Sequence, residues 1–377
     1  MQAKDFDRIR DRLNGVSRRD FMKFCTVIAA SLGLPLEMAP RIANAITSPR
    51  RPSVIWLSGQ ACTGCVETLL RPSHPSLEHL ILDLISLDYN ETLNAGAGHQ
   101  AEEEMQKAIN ENAGKFIMVV DGAIPLKDGG IYCMVGNRPF VDIVREVDAK
   151  AGAVIAIGSC ASWGGIPSAA PNPTGAVGLP EVLKNRTVVT VPGCPPNPYN
   201  FLSTVLHYLT FNKLPALDSS GRPKFAYGRL IHENCERRPH FDAGRFANKF
   251  GDEGHRLGYC LYKLGCKGPQ TYANCPAVLF SDVGAGAWPV GTGHPCFGCT
   301  EQGVGFTIPL FTQAIIKDPT PAAGQPPISD EKGTGISVGS AALLAGAAGV
   351  ALGAGAVFTK KLGQYGDDDQ GNSAGGE

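Results

Sequence analysis

Three apolar runs in the first half of the chain each end in cysteine. Val54-Ile55-Trp56-Leu57 leads into Ser58-Gly59-Gln60-Ala61-Cys62-Thr63-Gly64-Cys65, residues 153–158 lead into Ser159-Cys160, and Val188-Val189-Thr190-Val191 leads into Pro192-Gly193-Cys194. Short apolar runs bounded by turn residues read as buried strands. In an open parallel sheet the loops after the strands share one edge, the usual ligand crevice, so these distant loops can bring Cys62, Cys65, Cys160 and Cys194 to one point. Four thiolates at one point suggest a metal centre.

A second group of ligand-type residues crowds the stretch after residue 214, where Pro and Gly punctuate short segments and periodicity fades. By spacing, His232, Cys235, Cys260 and Cys266 make one four-ligand set, and Cys275, Cys296 and Cys299 make a set of three. A lone histidine is more often a core or surface residue, but His232 stands three residues before a cysteine with two more downstream. A cubane iron-sulfur cluster takes one protein ligand at each iron, so three thiolates suit a cluster with one corner missing. Pro289, in Trp288-Pro289-Val290, is the candidate for the place of a fourth ligand. The alternative is a pair of zinc sites, for which three cysteines are one ligand short of a closed structural site.

The elements that must position these residues follow from the pattern between residues 52 and 214. Residues 80–87 and 116–120 read as further strands, and residues 101–111, 140–149 and 199–209 have helical spacing. Such alternation predicts an α/β fold with a flavodoxin-like, doubly wound parallel sheet, followed by a small irregular domain in which metal sites replace a large apolar core. No G-x-G-x-x-G follows the first strand, which argues against a flavin or nicotinamide cofactor.

With 34 Lys and Arg against 35 Asp and Glu, the chain lacks the field that marks nucleic-acid binding, and no nucleic-acid partner is expected. The amino end reads as a twin-arginine export signal: Ser17-Arg18-Arg19-Asp20-Phe21-Met22-Lys23, an apolar run over 24–36, and small residues Ala43-Asn44-Ala45 for cleavage. Exported proteins favour disulfides, yet removal of residues 1–45 with Cys25 leaves an odd eleven cysteines.

The runs Cys62-Thr63-Gly64-Cys65, Gly158-Ser159-Cys160-Ala161-Ser162-Trp163-Gly164-Gly165, Pro192-Gly193-Cys194-Pro195-Pro196-Asn197 and Gly293-His294-Pro295-Cys296-Phe297-Gly298-Cys299 resemble the small subunit of a NiFe hydrogenase, in order, spacing and neighbours. The resemblance implies a proximal 4Fe-4S cluster on Cys62, Cys65, Cys160 and Cys194. It implies a distal 4Fe-4S cluster on His232, Cys235, Cys260 and Cys266, with a medial 3Fe-4S cluster on Cys275, Cys296 and Cys299 between them. The twin-arginine route carries proteins already folded around cofactors, so cluster ligation and export are compatible. The NiFe pair that splits H2 belongs to a separate large subunit, so no catalytic residue is expected here; the chain relays electrons to an acceptor, which could be a membrane cytochrome b, a c-type cytochrome or an iron-sulfur protein. An independent multi-cluster carrier without a catalytic partner is the alternative. Oxygen-tolerant relatives carry extra cysteines at positions matching Gly64 and Gly165, so an ordinary proximal cubane is expected. Cys133 falls outside all three sets and reads as a packing residue.

The expected organisation is a signal peptide over 1–45, the flavodoxin-like domain over 46–225, the domain of the medial and distal clusters over 226–317, a Pro-rich linker over 318–335, a membrane anchor over 336–358 and a polar tail over 359–377. The 23 uncharged residues of 336–358 would span about 35 Å as a helix, and Lys360-Lys361 after them favour a cytoplasmic carboxyl end. That topology places the cluster domains on the periplasmic face of the membrane.

Overall fold

The described chain opens with two helices, α1 (Arg18–Ser31) and α2 (Ala39–Ile46), and then enters the first strand, β1 (Ser53–Ser58). The computed structural model describes residues 18–32, 34–46, 51–72, 80, 84–280 and 288–317. After β1 come β2 (Ser86–Asn90), α3 (His99–Glu111), β3 (Ile117–Asp121), α4 (Phe140–Asp148), β4 (Ala153–Ile157), α5 (Gly158–Trp163), β5 (Val189–Val191) and α6 (Pro198–Phe211).

The five strands form one parallel sheet in the order β2-β1-β3-β4-β5. This is the flavodoxin-like strand order, with helical crossovers between strands. Alternate side chains face opposite sides, as the pleat requires. Val54, Trp56, Ile117, Val119, Ile155 and Val189 pack on one side with α6, where Trp56 meets Phe201 edge-on at 5.4 Å. Ile55, Leu57, Met118, Val120, Val154 and Ala156 pack on the other, against α3 and α4. Both faces are covered, which is why the strands read as continuous apolar runs. Each such buried side chain contributes about 1.5–3 kcal/mol. Helix α6 starts on a clear signal: the Asn197 side chain accepts from the Tyr199 N–H at 3.0 Å, and Pro198 takes the first helical position.

One strand differs from the expectation drawn on residues 80–87. β2 starts at Ser86 and is polar, with Ser53 and Ser86 both donating to Asp88. Leu80, Leu84 and Ile85 are instead buried ahead of the strand, in the apolar cluster that contains Trp56. As an edge strand, β2 needs fewer apolar residues than the central ones.

Residues 18–46, expected as leader, pack on the α6 side of the sheet: Phe21, Cys25, Ile28 and Ile42 are buried in the same cluster as Trp56 and Phe201. After α6, no described helix exceeds five residues. The core of this irregular part is built from Tyr227, Ile231, Leu261, Leu264, Trp288 and Val290 together with Cys235, Cys266 and Cys296. Among the described residues no helix is long and apolar enough to cross a membrane. The expected linker, anchor and tail, residues 318–377, lie outside the described residues.

Asp121 closes β3 at the carboxyl edge of the sheet. Its Oδ1 accepts from the Trp56 indole at 2.9 Å and from the Ser58 hydroxyl at 2.7 Å, while its buried Oδ2 has no hydrogen bond among the described residues. Burial raises its carboxyl above the ordinary value, against the lowering effect of those two donors. A raised folded-state value means that the stabilising contribution is complete below the unfolded value of about 3.9 and is lost as pH rises through the folded one. Asp121→Asn cannot ionise, so its melting temperature minus that of the parent should climb from pH 4 toward neutrality; a flat difference would refute the assignment.

Candidate metal centres

The first sulfur set is assembled by three strand ends. After β1 the chain turns through Thr63, whose left-handed φ of 69° starts a short helix, Gly64–Glu67, and this turn carries Cys62 and Cys65. After β4 the chain enters α5 through Gly158, with φ of 83°, placing Cys160 in the first turn of that helix. After β5 the loop Pro192-Gly193-Cys194 runs alongside, and the Ser159 N–H donates to the Gly193 carbonyl at 2.9 Å. The four sulfurs are neighbours. Burial pushes the Cys65 thiol well above its ordinary value, and the charges of Asp121, Cys160, Cys62 and Cys194 push the same way.

Glycine is required where the sulfurs lie closest to backbone. A Cβ on Gly158 would stand 2.4 Å from the Cys65 sulfur, and one on Gly165, at φ of 50°, 2.7 Å from the Cys160 sulfur. Gly64 lies against the Cys62 sulfur, 3.3 Å from where its Cβ would be. Both positions singled out by comparison with oxygen-tolerant relatives therefore sit beside this set.

His232, Cys235, Cys260 and Cys266 line one small cavity together with Arg237 and Arg238. The His232 ring is buried and meets Phe241 edge-on at 4.5 Å. Burial pushes the Cys235 and Cys260 thiols up to about 12; Cys266 is raised by burial and drawn down by backbone N–H groups, Lys267 and Arg237. The Arg237 N–H also points at the Cys235 sulfur, 3.4 Å away.

Two members of the third set, Cys275 and Cys299, line a cavity of about 410 Å³ together with Cys194, Tyr227, Trp288 and Pro289. Burial pushes Cys275 to about 12 and Cys299 to about 11, and raises Cys296 well above the ordinary range. Pro289 thus faces the same space as two of the three cysteines. The sets are linked: Cys194 and Cys299 line one cavity, and the Lys267 N–H, one residue after Cys266, donates to the Cys296 carbonyl at 2.6 Å. The three sets therefore follow one another, with Cys275, Cys296 and Cys299 in the middle.

None of the twelve cysteines forms a disulfide. Cys25 is buried in the apolar cluster on the α6 side of the sheet, and Cys133 lies half-buried against the α3–α4 face, as a small apolar residue would. Among the described residues, no three His, Cys, Asp or Glu side chains converge closely enough to hold a single metal ion.

Several residues that secure this arrangement carry no motif. Ser159 is tied to both neighbouring sets: its hydroxyl accepts from the Gly193 N–H at 3.1 Å and donates to the Cys299 carbonyl at 2.5 Å. Tyr227 donates to the Pro192 carbonyl at 2.8 Å, and Asn200 pairs with Asn274. Arg222 is buried between Asp218 at 2.8 Å and Glu301 at 2.9 Å, and also donates to the Thr300 carbonyl.

A strand-edge set of four cysteines followed by two more ligand sets in an irregular domain defines a multi-centre redox protein on a flavodoxin-like scaffold. Two family models match this layout: the C-terminal region of the NiFe/NiFeSe hydrogenase small subunit over residues 227–312, and the 20 kDa subunit of NADH-ubiquinone oxidoreductase over 62–208. The chain is 52% identical to the hydrogenase-2 small chain of Escherichia coli over 362 residues, 96% of this chain and 97% of that one. It is 50% identical to the periplasmic [NiFe] hydrogenase small subunit of Solidesulfovibrio fructosivorans, over 76% of this chain and 90% of that one. Among solved structures it resembles the Desulfomicrobium baculatum [NiFeSe] hydrogenase with a TM-score of 0.64 and 32% identity, covering 70% of this chain and 99% of that chain. The chain belongs to the NiFe hydrogenase small-subunit family.

Gly158→Ala forces a methyl group into the Cys65 sulfur at a backbone angle unfavourable to alanine. Purified variant protein should carry less metal per chain than the parent; an unchanged metal content would refute the steric reading.

Proposed function

We infer that this chain is the electron-relaying small subunit of a NiFe hydrogenase, paired as a heterodimer with a large subunit that holds the NiFe site, and serving the reversible oxidation of H2 to protons and electrons. The observation that carries this reading is the succession of three sulfur sets in which Cys194 and Cys299 share a cavity and the Lys267 N–H, next to Cys266, meets the Cys296 carbonyl. Proteins of this family carry iron-sulfur clusters, and the donor chemistry here fits them: soft thiolates with one imidazole, pressed against glycine where a Cβ would intrude.

The finer assignment is a proximal 4Fe-4S cluster on Cys62, Cys65, Cys160 and Cys194, a medial 3Fe-4S cluster on Cys275, Cys296 and Cys299, and a distal 4Fe-4S cluster on His232, Cys235, Cys260 and Cys266. Such clusters, when bound, supply one-electron steps. The residues around them set the direction. His232 is neutral where a thiolate is anionic, so the distal set carries one negative charge fewer, and Arg237 and Arg238 line the same cavity. Both features favour an electron at that end. The proximal set instead has the buried carboxyl of Asp121 as a neighbour.

Export by the twin-arginine route to the periplasmic face of the membrane is supported by the motif at residues 17–23 and by relatives named as periplasmic and uptake hydrogenases. Anchoring rests on the uncharged stretch 336–358, and the acceptor is a membrane cytochrome b, a c-type cytochrome or an iron-sulfur protein. A leader cut after Ala45 would take Phe21, Cys25, Ile28 and Ile42 away from the α6 side of the sheet.

Electron paramagnetic resonance with metal analysis on the complex purified from membranes tests the reading. An oxidised 3Fe-4S signal that vanishes under H2, with nickel near-equal to the chain, is expected. Iron without nickel and no response to H2 would favour an independent carrier, and zinc without iron would sink both. Pro289→Cys adds a thiol to the wall of the medial cavity, so the variant should gain about one iron per chain and lose the oxidised 3Fe-4S signal. Retention of that signal would place the vacant corner elsewhere.

A further inference from the structure

Between the medial and distal sulfur sets lies a buried cation. Lys267 follows Cys266 directly, is 1% exposed, and its backbone N–H donates to the Cys296 carbonyl at 2.6 Å. Gly298, at φ of 78°, lets the Cys296–Cys299 loop lie close: a Cβ there would be 3.2 Å from the Lys267 Cβ. Lys267 therefore adjoins one ligand of each set.

Its charge state follows from its hydrogen bonds. Nζ donates to the carbonyls of Gly265 at 3.1 Å, Pro309 at 3.2 Å and Thr312. Three acceptors need three N–H groups, and lysine has three only as an ammonium. Among the described residues no carboxylate pairs with it, in contrast to the buried guanidinium groups of Arg222 and Arg238. Burial lowers the Lys267 ammonium from its ordinary value, since a buried charge without a counter-ion is costly, while negative charge on the sulfurs of Cys266 and Cys296 acts the other way and holds the proton.

We propose that Lys267 is a fixed buried ammonium that stabilises the reduced, more negative forms of both the medial and the distal cluster, holding their reduction potentials up together. This rests on the cluster assignment above. Reduction adds one negative charge near the cation, and in a dry interior that attraction is weakly screened. At the proximal set, by contrast, the charged neighbours that act on Cys65 and Cys160 are Asp121 and other sulfurs. Three backbone carbonyls hold the ammonium in place, so little rearrangement accompanies each electron.

The test is a redox titration of the purified heterodimer followed by electron paramagnetic resonance, comparing the parent with Lys267→Met, Lys267→Gln and Lys267→Arg. Loss of the charge should lower the reduction equilibrium constants of both clusters at least tenfold, about 59 mV for a one-electron couple, with the proximal cluster unchanged. Arg should restore both to within about threefold. Gln retains a donor for the carbonyls, so it separates charge from tethering should Met fail to assemble. Equilibrium constants within twofold of the parent in Met or Gln would overturn the proposal, as would a Gln variant lacking the medial cluster, which would make Lys267 a strut. A parent protein without these cluster signals would instead refute the assignment on which the proposal stands.

Discussion

Buried sulfur is the constraint on which this structure depends. Of the eleven residues in the three sets, only Cys62 is exposed, and burial drives the thiols of Cys194, Cys235, Cys260 and Cys275 to about 12. Thiols held in such surroundings release their protons only to positive charge, which metal binding supplies. Everything near them serves that exchange. Backbone N–H groups approach the sulfurs, as Arg237 does at Cys235, and glycines yield space where the backbone must pass within a few ångströms. The parallel sheet contributes one further thing: strand ends far apart in sequence meet at a single edge.

The scaffold was legible because both faces of the sheet are buried. Val54 to Leu57 and the 153–157 run are apolar at every position for that reason, Val189 to Val191 is so except at Thr190, and each is a strand. The edge strand obeyed a different rule: Asp88 draws hydrogen bonds from Ser53 and Ser86, while the apolar Leu80 and Leu84 pack before it. The cysteines were legible because ligand chemistry tolerates few substitutes and their spacing is short-range. Ser159, Arg222 and Lys267 were not, because each acts on a residue at least 29 positions away and its type is common elsewhere in the chain. Ser159 makes the point most clearly. One hydroxyl ties Gly193 of the strand-edge set to Cys299 of the middle set, and nothing in Gly158-Ser159-Cys160 reveals that second partner.

The irregular region has another logic. Its core contains Cys235, Cys266 and Cys296 among a handful of large apolar residues, so its packing and its metal chemistry involve the same atoms. A region with helices of at most five residues has little local cooperativity of its own. Links to the sheet supply some of what is missing: Tyr227 to Pro192, Asn200 to Asn274, and Arg222 to Glu301. Pro192, Asn274 and Glu301 each lie within two residues of a cysteine of one set, so the relative placement of the sulfur sets is held by protein contacts rather than by the metals alone.

Charge is distributed unevenly along the three sets. At the strand-edge end, the carboxyl of Asp121 pushes Cys65 and Cys160 upward. At the far end, Arg237 and Arg238 draw Cys260 down, and Lys267 and Arg237 draw Cys266 down. The same field that favours a thiolate over a thiol favours an added electron over none, since both add negative charge at the same place. Arg238 is anchored by Asp242 at 2.8 Å and Lys267 by three carbonyls, so the positions of these cations are set by the folded chain and not by mobile surface charge.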